Sequence, residues 1–272
     1  MKKRLLKLFL FAIALFIVSV ELVPILVIIT NGFKKDIDIW TKSPFYFKPT
    51  VHSYYLIFSN RDFKMSLRNS FTAATISALT SVFFASLAAF GFTRFDFKLK
   101  FLLLIAILLT RMIPQITLAL PFYLLFRTLG LKDNIVGLSV AHISFNLPYV
   151  LALLIPFFAS VPRDYEEAAR IDGCKMFGVF WRITLPLSSA GLVVAFVFAF
   201  LMSWNEFLYA LVLTGPNAKT APIVINAFLG QYAPLWGQLS ASSTIMLLPV
   251  FAITLGFQRY ILKGLWTGGL KG

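Results

Sequence analysis

Long apolar runs separated by shorter polar segments dominate the chain, and a helix needs about 20 apolar residues to cross the hydrocarbon of a bilayer. Runs of that order fall at 8–30, 67–92, 101–126, 134–159, 187–213 and 240–262. The pattern predicts an all-α membrane protein with six transmembrane helices. One interruption stands apart, at 160–186, which contains "DYEEAARIDGCKMFGVFWRITLP" at 164–186. Asp164 is placed to cap a helix beginning at Tyr165, and Glu167 sits where its carboxylate can turn back to the cap amide or face outward to a partner. Gly173 ends that helix. From Lys175 onward, Met176, Phe177, Val179, Phe180 and Ile183 repeat with helical spacing as one apolar face, opposite Lys175, Gly178 and Arg182. Pro186 suits the first turn of the next spanning helix, where its missing amide costs nothing. Two short helices with a sharp bend follow, presenting Ala168 and Ala169 beside acidic side chains, a shape suited to a cleft on a cytoplasmic partner.

Within the spans, Ala73, Ser77, Ser81, Ala85 and Ala89 recur every four residues, a small-residue stripe that lets helix backbones approach closely and places this helix inside the bundle. Pro114, Pro121, Pro148 and Pro156 interrupt the next two runs and predict kinks. Ionisable and amide groups at membrane depth are expensive, so Asn205 and Glu206 in "SWNEF" and His142 and Asn146, one turn apart, are candidates for pore or gate positions. Interhelical hydrogen bonding explains the same residues. Trp204, Tyr232 and Trp236 can stack on sugar faces or a binding protein, or anchor the chain at an interface.

Composition agrees with a membrane protein: 59% of residues are hydrophobic, 13% are charged, and 30 are Phe. The formal net charge of +14 raises nucleic acid as a partner, but the basic residues are dispersed over many loops without an aromatic RNA-binding pattern. Charge reports orientation instead. With the N-terminus inside, inner segments hold 14 Lys and Arg and outer ones nine, which predicts both termini on the cytoplasmic side and 160–186 with them. The first apolar run is too long for a signal peptide and lacks a small-residue cleavage site, so it is expected to be retained. The lone Cys174 excludes an intrachain disulfide, and no His/Cys cluster suggests a metal. Two separated His and one Cys give no catalytic constellation, so no catalytic residue is assigned. An ion-coupled carrier would show more intramembrane acids or two repeat halves with broken helices.

Glu167-Ala168-Ala169, three residues, Gly173, nine residues, then Ile183-Thr184-Leu185-Pro186 resembles the EAA loop of ABC importer permeases without departure in spacing or identity. From about residue 65 onward, "RMIPQITLALPFYLLFRTLGLKDNIVGLSVAH", "WNEFLYALVLT", "QYAPLWGQLSASSTIMLLPV" and "FQRYILKGLWTGGLKG" look like the maltose-type second permease subunit of carbohydrate importers. The resemblance implies a type I importer permease fold. Residues 1–66 would form an N-terminal transmembrane helix and extracytoplasmic loop, and 67–272 the permease core with its EAA loop at 160–186. It also implies a multi-pass pore subunit of a prokaryotic plasma membrane that binds no cofactor, with ATP and Mg on partner ATPases. A second homologous permease, two cytoplasmic ATPases and an extracytoplasmic solute-binding protein would complete the assembly. Glu167, Ala168, Ala169, Gly173, Ile183, Leu185 and Pro186 would couple to the ATPases, the tail at 264–272 would approach them, and Tyr232 and Trp236 would contact the binding protein. Permeases for polyols or glycerol phosphates share the loop, so the solute class is a carbohydrate or one of these.

Overall fold

The computed structural model describes the backbone of residues 2–230 and 233–269, with side chains for 3–230 and 233–260. In chain order the helices are α1 (Lys2–Gly32), α2 (Asp36–Thr41), α3 (His52–Ser59), α4 (Arg61–Arg94), α5 (Lys100–Leu109), α6 (Gln115–Thr128), α7 (Ile135–Ala159) and α8 (Arg163–Ile171). Then come α9 (Met176–Val179), α10 (Leu185–Leu187), α11 (Ser189–Trp204), α12 (Leu208–Leu213), α13 (Ala221–Ala227) and α14 (Trp236–Gly269). Among the described residues there is no strand. Helices α1, α4, α7 and α14 are each long and apolar enough to span, and two bent pairs bring the number of spans to six if each pair crosses once.

The bends are where the single runs 101–126 and 187–213 depart from expectation. The first run turns by 93° between Lys100–Met112 and Gln115–Thr128. Ile113, the residue before Pro114, is extended at φ −71°, ψ 122°, because the proline ring disfavours helical backbone in its predecessor. Pro121, Pro148 and Pro156, expected to interrupt their helices in the same way, lie inside continuous α6 and α7. Each removes one backbone donor, a loss that membrane helices accommodate. At the start of the fifth run the segment Met176–Leu187 meets Ser189–Trp204 at 77°, and within the run α11 stops at Trp204 before α12 begins at Leu208. Asn205 and Glu206 therefore lie in a break and not within a continuous helix.

The chain divides into two compact units, residues 1–64 with 224–249 and residues 65–223 with 250–272. Segment 224–249 thus groups with the N-terminal residues. In the first unit, the Asp36 carboxylate accepts the Gly237 amide at 2.9 Å, and the Trp40 and Trp236 rings meet edge-on at 5.8 Å. Lys34 is buried there, its ammonium 4.9 Å from the Phe47 ring centroid. In the second unit, the small-residue stripe of α4 is buried, with Ser77, Ser81, Ala85 and Ala89 fully inaccessible. A cluster of Phe126, Leu138, Ala141, Phe145, Tyr209 and Leu213 packs α6, α7 and α12 together. Helices α7 and α11 approach so closely that a Cβ on Gly191 would collide with the Phe157 ring.

Candidate functional site

Helix α8 begins two residues earlier than the capping pattern suggests, at Arg163 after Pro162. Pro162 occupies the N-cap position without a side-chain cap bond, so the cap role expected of Asp164 is not used; Asp164 and Glu166 instead lie in the first turn, where carboxylates complement the helix dipole. Glu167 makes no capping box. It is exposed, as is Ala168, while Glu166 and Ala169, three positions apart, are buried. The helix ends as expected: Gly173 has φ +88°, with the Cys174 amide bonded to the Ala169 carbonyl (2.9 Å) and the Gly173 amide to that of Arg170 (3.0 Å). This is a Schellman cap, and its left-handed residue favours glycine.

The second helix differs from its expected face. Val179, Phe180 and Thr184 are buried, whereas Phe177 is 66% exposed and Ile183 is half-buried. A π-helical turn at Phe180–Thr184 inserts an extra residue into the helical repeat, so a strict 3.6-residue count drifts off the buried side. Leu185 and Pro186 fall in the three-residue α10 before the bend, so Pro186 does not open the spanning helix itself.

Sequence reasoning missed the residues that hold this loop. Arg94, at the end of α4, donates from Nε to Glu166 Oε2 at 2.6 Å and from Nη2 to the carbonyls of Phe158 and Val161, both at 3.0 Å. Thr184 donates to Glu166 Oε1 at 2.7 Å. The only sequence signal for Glu166 is its helical spacing to Ala169 on the inward side. Arg94, 72 residues earlier, gives none. A cavity of about 90 Å³ beside the pair is lined by Arg163, Glu167 and Arg170 among others.

The other polar candidates separate into two groups. His142, Asn146 and Glu206 are buried. Asn146 Nδ2 donates to Ser203 Oγ at 2.8 Å, and Ser203 Oγ lies 2.8 Å from Ser77 Oγ, which ties α7, α11 and α4 together. Glu206 accepts the amides of Tyr209 (2.7 Å) and Ala210 (3.0 Å) and so starts α12. His142 Nε2 lies 3.3 Å from Glu206 Oε2 without hydrogen-bond alignment. Asn205 is exposed, its side chain turned back to the Leu201 carbonyl. Trp204 is buried and stacks on Phe200 at 5.7 Å. Tyr232 and the end of the 264–272 tail lie outside the described residues, and Trp236 is half-buried with its indole nitrogen unpaired among the described residues.

The break of the third span opens a cavity of about 260 Å³, lined by Thr110, Arg111, Gln115, Ser144, Phe145 and Tyr209 among others. Arg111 donates to the Phe145 carbonyl at 2.7 Å and lies 5.0 Å from the centroid of the Tyr149 ring. A carbonyl and an aromatic face hold the guanidinium.

A second feature absent from sequence reasoning is Asp133, in the α6–α7 loop at φ 54°. Its carboxylate accepts the amides of Gly215 (2.7 Å), Asn217 (3.1 Å) and Ala218 (2.8 Å) and the Asn217 side chain (2.9 Å). Partial burial raises its pKa, but the amides of Ala218, Asn217 and Gly215 more than offset this and hold it below the ordinary carboxylate value. A depressed folded-state pKa means the clamp is fully present above the ordinary value of about 4 and is lost as pH falls through the lowered one. Asp133→Ala is expected to speed hydrogen exchange at Gly215, Asn217 and Ala218 about five- to tenfold, the equivalent of about 1 kcal/mol. Acidification of the wild type well below pH 4 should do the same.

The chain belongs to the binding-protein-dependent transport system inner membrane component family, whose defining region matches residues 81–267. It is 36% identical over 226 residues to the trehalose transport system permease protein SugB of Mycobacterium tuberculosis, covering 82% of each chain. It is 32% identical over 254 residues to the sulfoquinovosyl glycerol transport system permease protein SmoH of Agrobacterium fabrum, covering 92% of this chain and 89% of that one. Its fold matches a chain of a bacterial ABC transporter involved in the import of the acidic polysaccharide alginate, with a TM-score of 0.77 at 20% identity over 93% of this chain and 95% of the other.

Proposed function

We propose that this chain is the pore-forming permease subunit of an ATP-driven importer for a carbohydrate, working with a second homologous permease, two cytoplasmic ATPases and an extracytoplasmic solute-binding protein. The observation that carries this reading is the complete loop from Glu167 to Pro186, folded into two short helices with Glu167 exposed and Glu166 locked inward. The permease itself supplies no chemistry. ATP and Mg bind the partner ATPases, and their closure moves α8 and α9, which carry the motion into the spanning helices as a rigid-body change. In this reading the termini and the loop face the cytoplasm, in line with the excess of Lys and Arg in those segments. The carbohydrate class is supported by relatives named for trehalose and sulfoquinovosyl glycerol transport.

The solute meets this chain at the broken third span. A cavity of about 260 Å³ accommodates a monosaccharide unit, and its lining pairs hydroxyl-binding groups (Arg111, Gln115, Ser144) with aromatic faces (Phe145, Tyr209), the mixture that sugar rings require. His142, Asn146 and Glu206 fix how α7, α11 and α12 move as a gate, and Asn205 stands in the break between α11 and α12. Trp236 and Tyr232 serve the binding-protein side.

Uptake into proteoliposomes holding the whole complex and its binding protein tests the solute class, with labelled trehalose and maltose set against sorbitol and glycerol 3-phosphate. A saccharide is expected as the transported solute; uptake of only the polyol or the phosphate ester would move the assignment to that class. Arg111→Gln is expected to lower uptake about tenfold, the loss of one charge-assisted contact of about 1.5 kcal/mol, while assembly of the complex is unchanged.

A further inference from the structure

Arg94 and Glu166 meet where four elements converge, and their placement suggests more than local stability. The guanidinium is the last residue of α4. It reaches the Phe158 carbonyl in the last turn of α7 and the Val161 carbonyl two residues beyond that helix. Its Nε holds Glu166 of α8. The other Glu166 oxygen takes the Thr184 hydroxyl from the π turn that leads into α10 and α11. Side-chain exposures of 6% for Arg94 and 8% for Glu166 keep the pair largely out of solvent beside the cavity of about 90 Å³, and its geometry is held by short charge-assisted bonds.

The next residue along α8, Glu167, is exposed. One helix thus carries an exposed carboxylate for a partner and a buried carboxylate bound to Arg94 of α4 and to Thr184 on the approach to α11, with Arg94 adding the end of α7. Helix α8 has only nine residues, and its apolar burial is limited to Ala169. Apolar packing alone therefore gives it a weak hold on the bundle, and the ion pair supplies the rigid link.

We infer that Arg94, through Glu166 and Thr184, is the positioning residue that makes the coupling loop move as one body with α4, α7 and α11, so that ATPase motion becomes pore motion. The inference rests on the loop being the ATPase-docking element. Its function is transmission, not docking: with the latch loosened, the ATPases still bind α8 and hydrolyse ATP, but the spanning helices no longer follow.

The test uses the full reconstituted complex with its binding protein and the saccharide found to be transported. Arg94→Lys keeps the charge, yet a single ammonium cannot reproduce the planar fork that reaches a carboxylate and two carbonyls. Glu166→Gln keeps the acceptor for Thr184 and removes the charge. Both variants are expected to co-purify with the ATPases and to hydrolyse ATP at close to the wild-type rate, while solute transported per ATP falls about tenfold in Arg94→Lys and by a smaller factor in Glu166→Gln. A merely structural role would lower assembled complex and ATP hydrolysis together and leave the ratio unchanged. An unchanged ratio in both variants overturns the inference, and so does loss of assembly in both, because Arg94 would then be a folding or docking determinant. Glu167→Lys, measured alongside, separates the two claims: if it assembles and transports normally, the docking role of the loop fails whatever Arg94 does. If it loses the ATPases while Arg94→Lys keeps both them and the wild-type ratio, only the transmission role fails.

Discussion

Glu167→Lys is expected to leave the membrane domain folded and to abolish association with the ATPases, with affinity falling at least about a hundredfold. The folded state survives because Glu167 is exposed, and exposed substitutions away from special features usually change stability by less than about 0.5 kcal/mol. Association fails because the contact becomes desolvated when a partner docks. Under the proposed docking role a basic ATPase residue would face this carboxylate, as the EAA-loop resemblance implies, and a lysine there would place like charges together at a cost of several kcal/mol. Extraction yield and elution profile report the fold, and co-purification of the ATPases reports docking. Wild-type transport by Glu167→Lys would refute the docking role.

Arg94→Met is expected to be among the most destabilising single changes in the chain. It leaves the Glu166 carboxylate buried without its cation and the Phe158 and Val161 carbonyls without the guanidinium. Breaking a buried pair by removing one partner costs about 3–5 kcal/mol, whereas replacing both partners with apolar groups is often near neutral. The double variant Arg94→Met with Glu166→Leu should therefore regain much of the loss. Proteolytic susceptibility of residues 163–186 and thermal inactivation of the purified protein measure both. A double-mutant cycle in which the two losses simply add would show that the pair is not coupled.

The spans and the loop were legible in the sequence because they rest on local rules. Apolar run length marks the spans, and the αL requirement at Gly173 marks the end of α8. The breaks were harder to see. Four prolines looked alike, and only Pro114 turns its span, because Ile113 before it leaves the helical region; nothing in the local sequence distinguishes it from Pro121 or Pro148. Run length also hides the gap at Asn205–Phe207, where a buried carboxylate caps a new helix inside an apolar stretch. Helical periodicity placed Phe177 on the buried face of the second coupling helix, and the π turn moved burial to Thr184. The largest omission was Arg94 with Glu166. A pairing across 72 residues leaves no mark on either local pattern, and the EAA pattern itself begins one residue later, at Glu167. Asp133 escaped for the same reason, since the amides it gathers lie 82–85 residues further along the chain.

Uptake by proteoliposomes containing this chain, its partner permease, the ATPases and the binding protein, compared with the same assembly carrying a non-hydrolysing ATPase, tests the central claim most directly. The account predicts solute accumulation that requires both ATP and a hydrolysing ATPase and is indifferent to proton or sodium gradients. Accumulation that continues with the inactive ATPase, or that follows an imposed ion gradient without ATP, would contradict it.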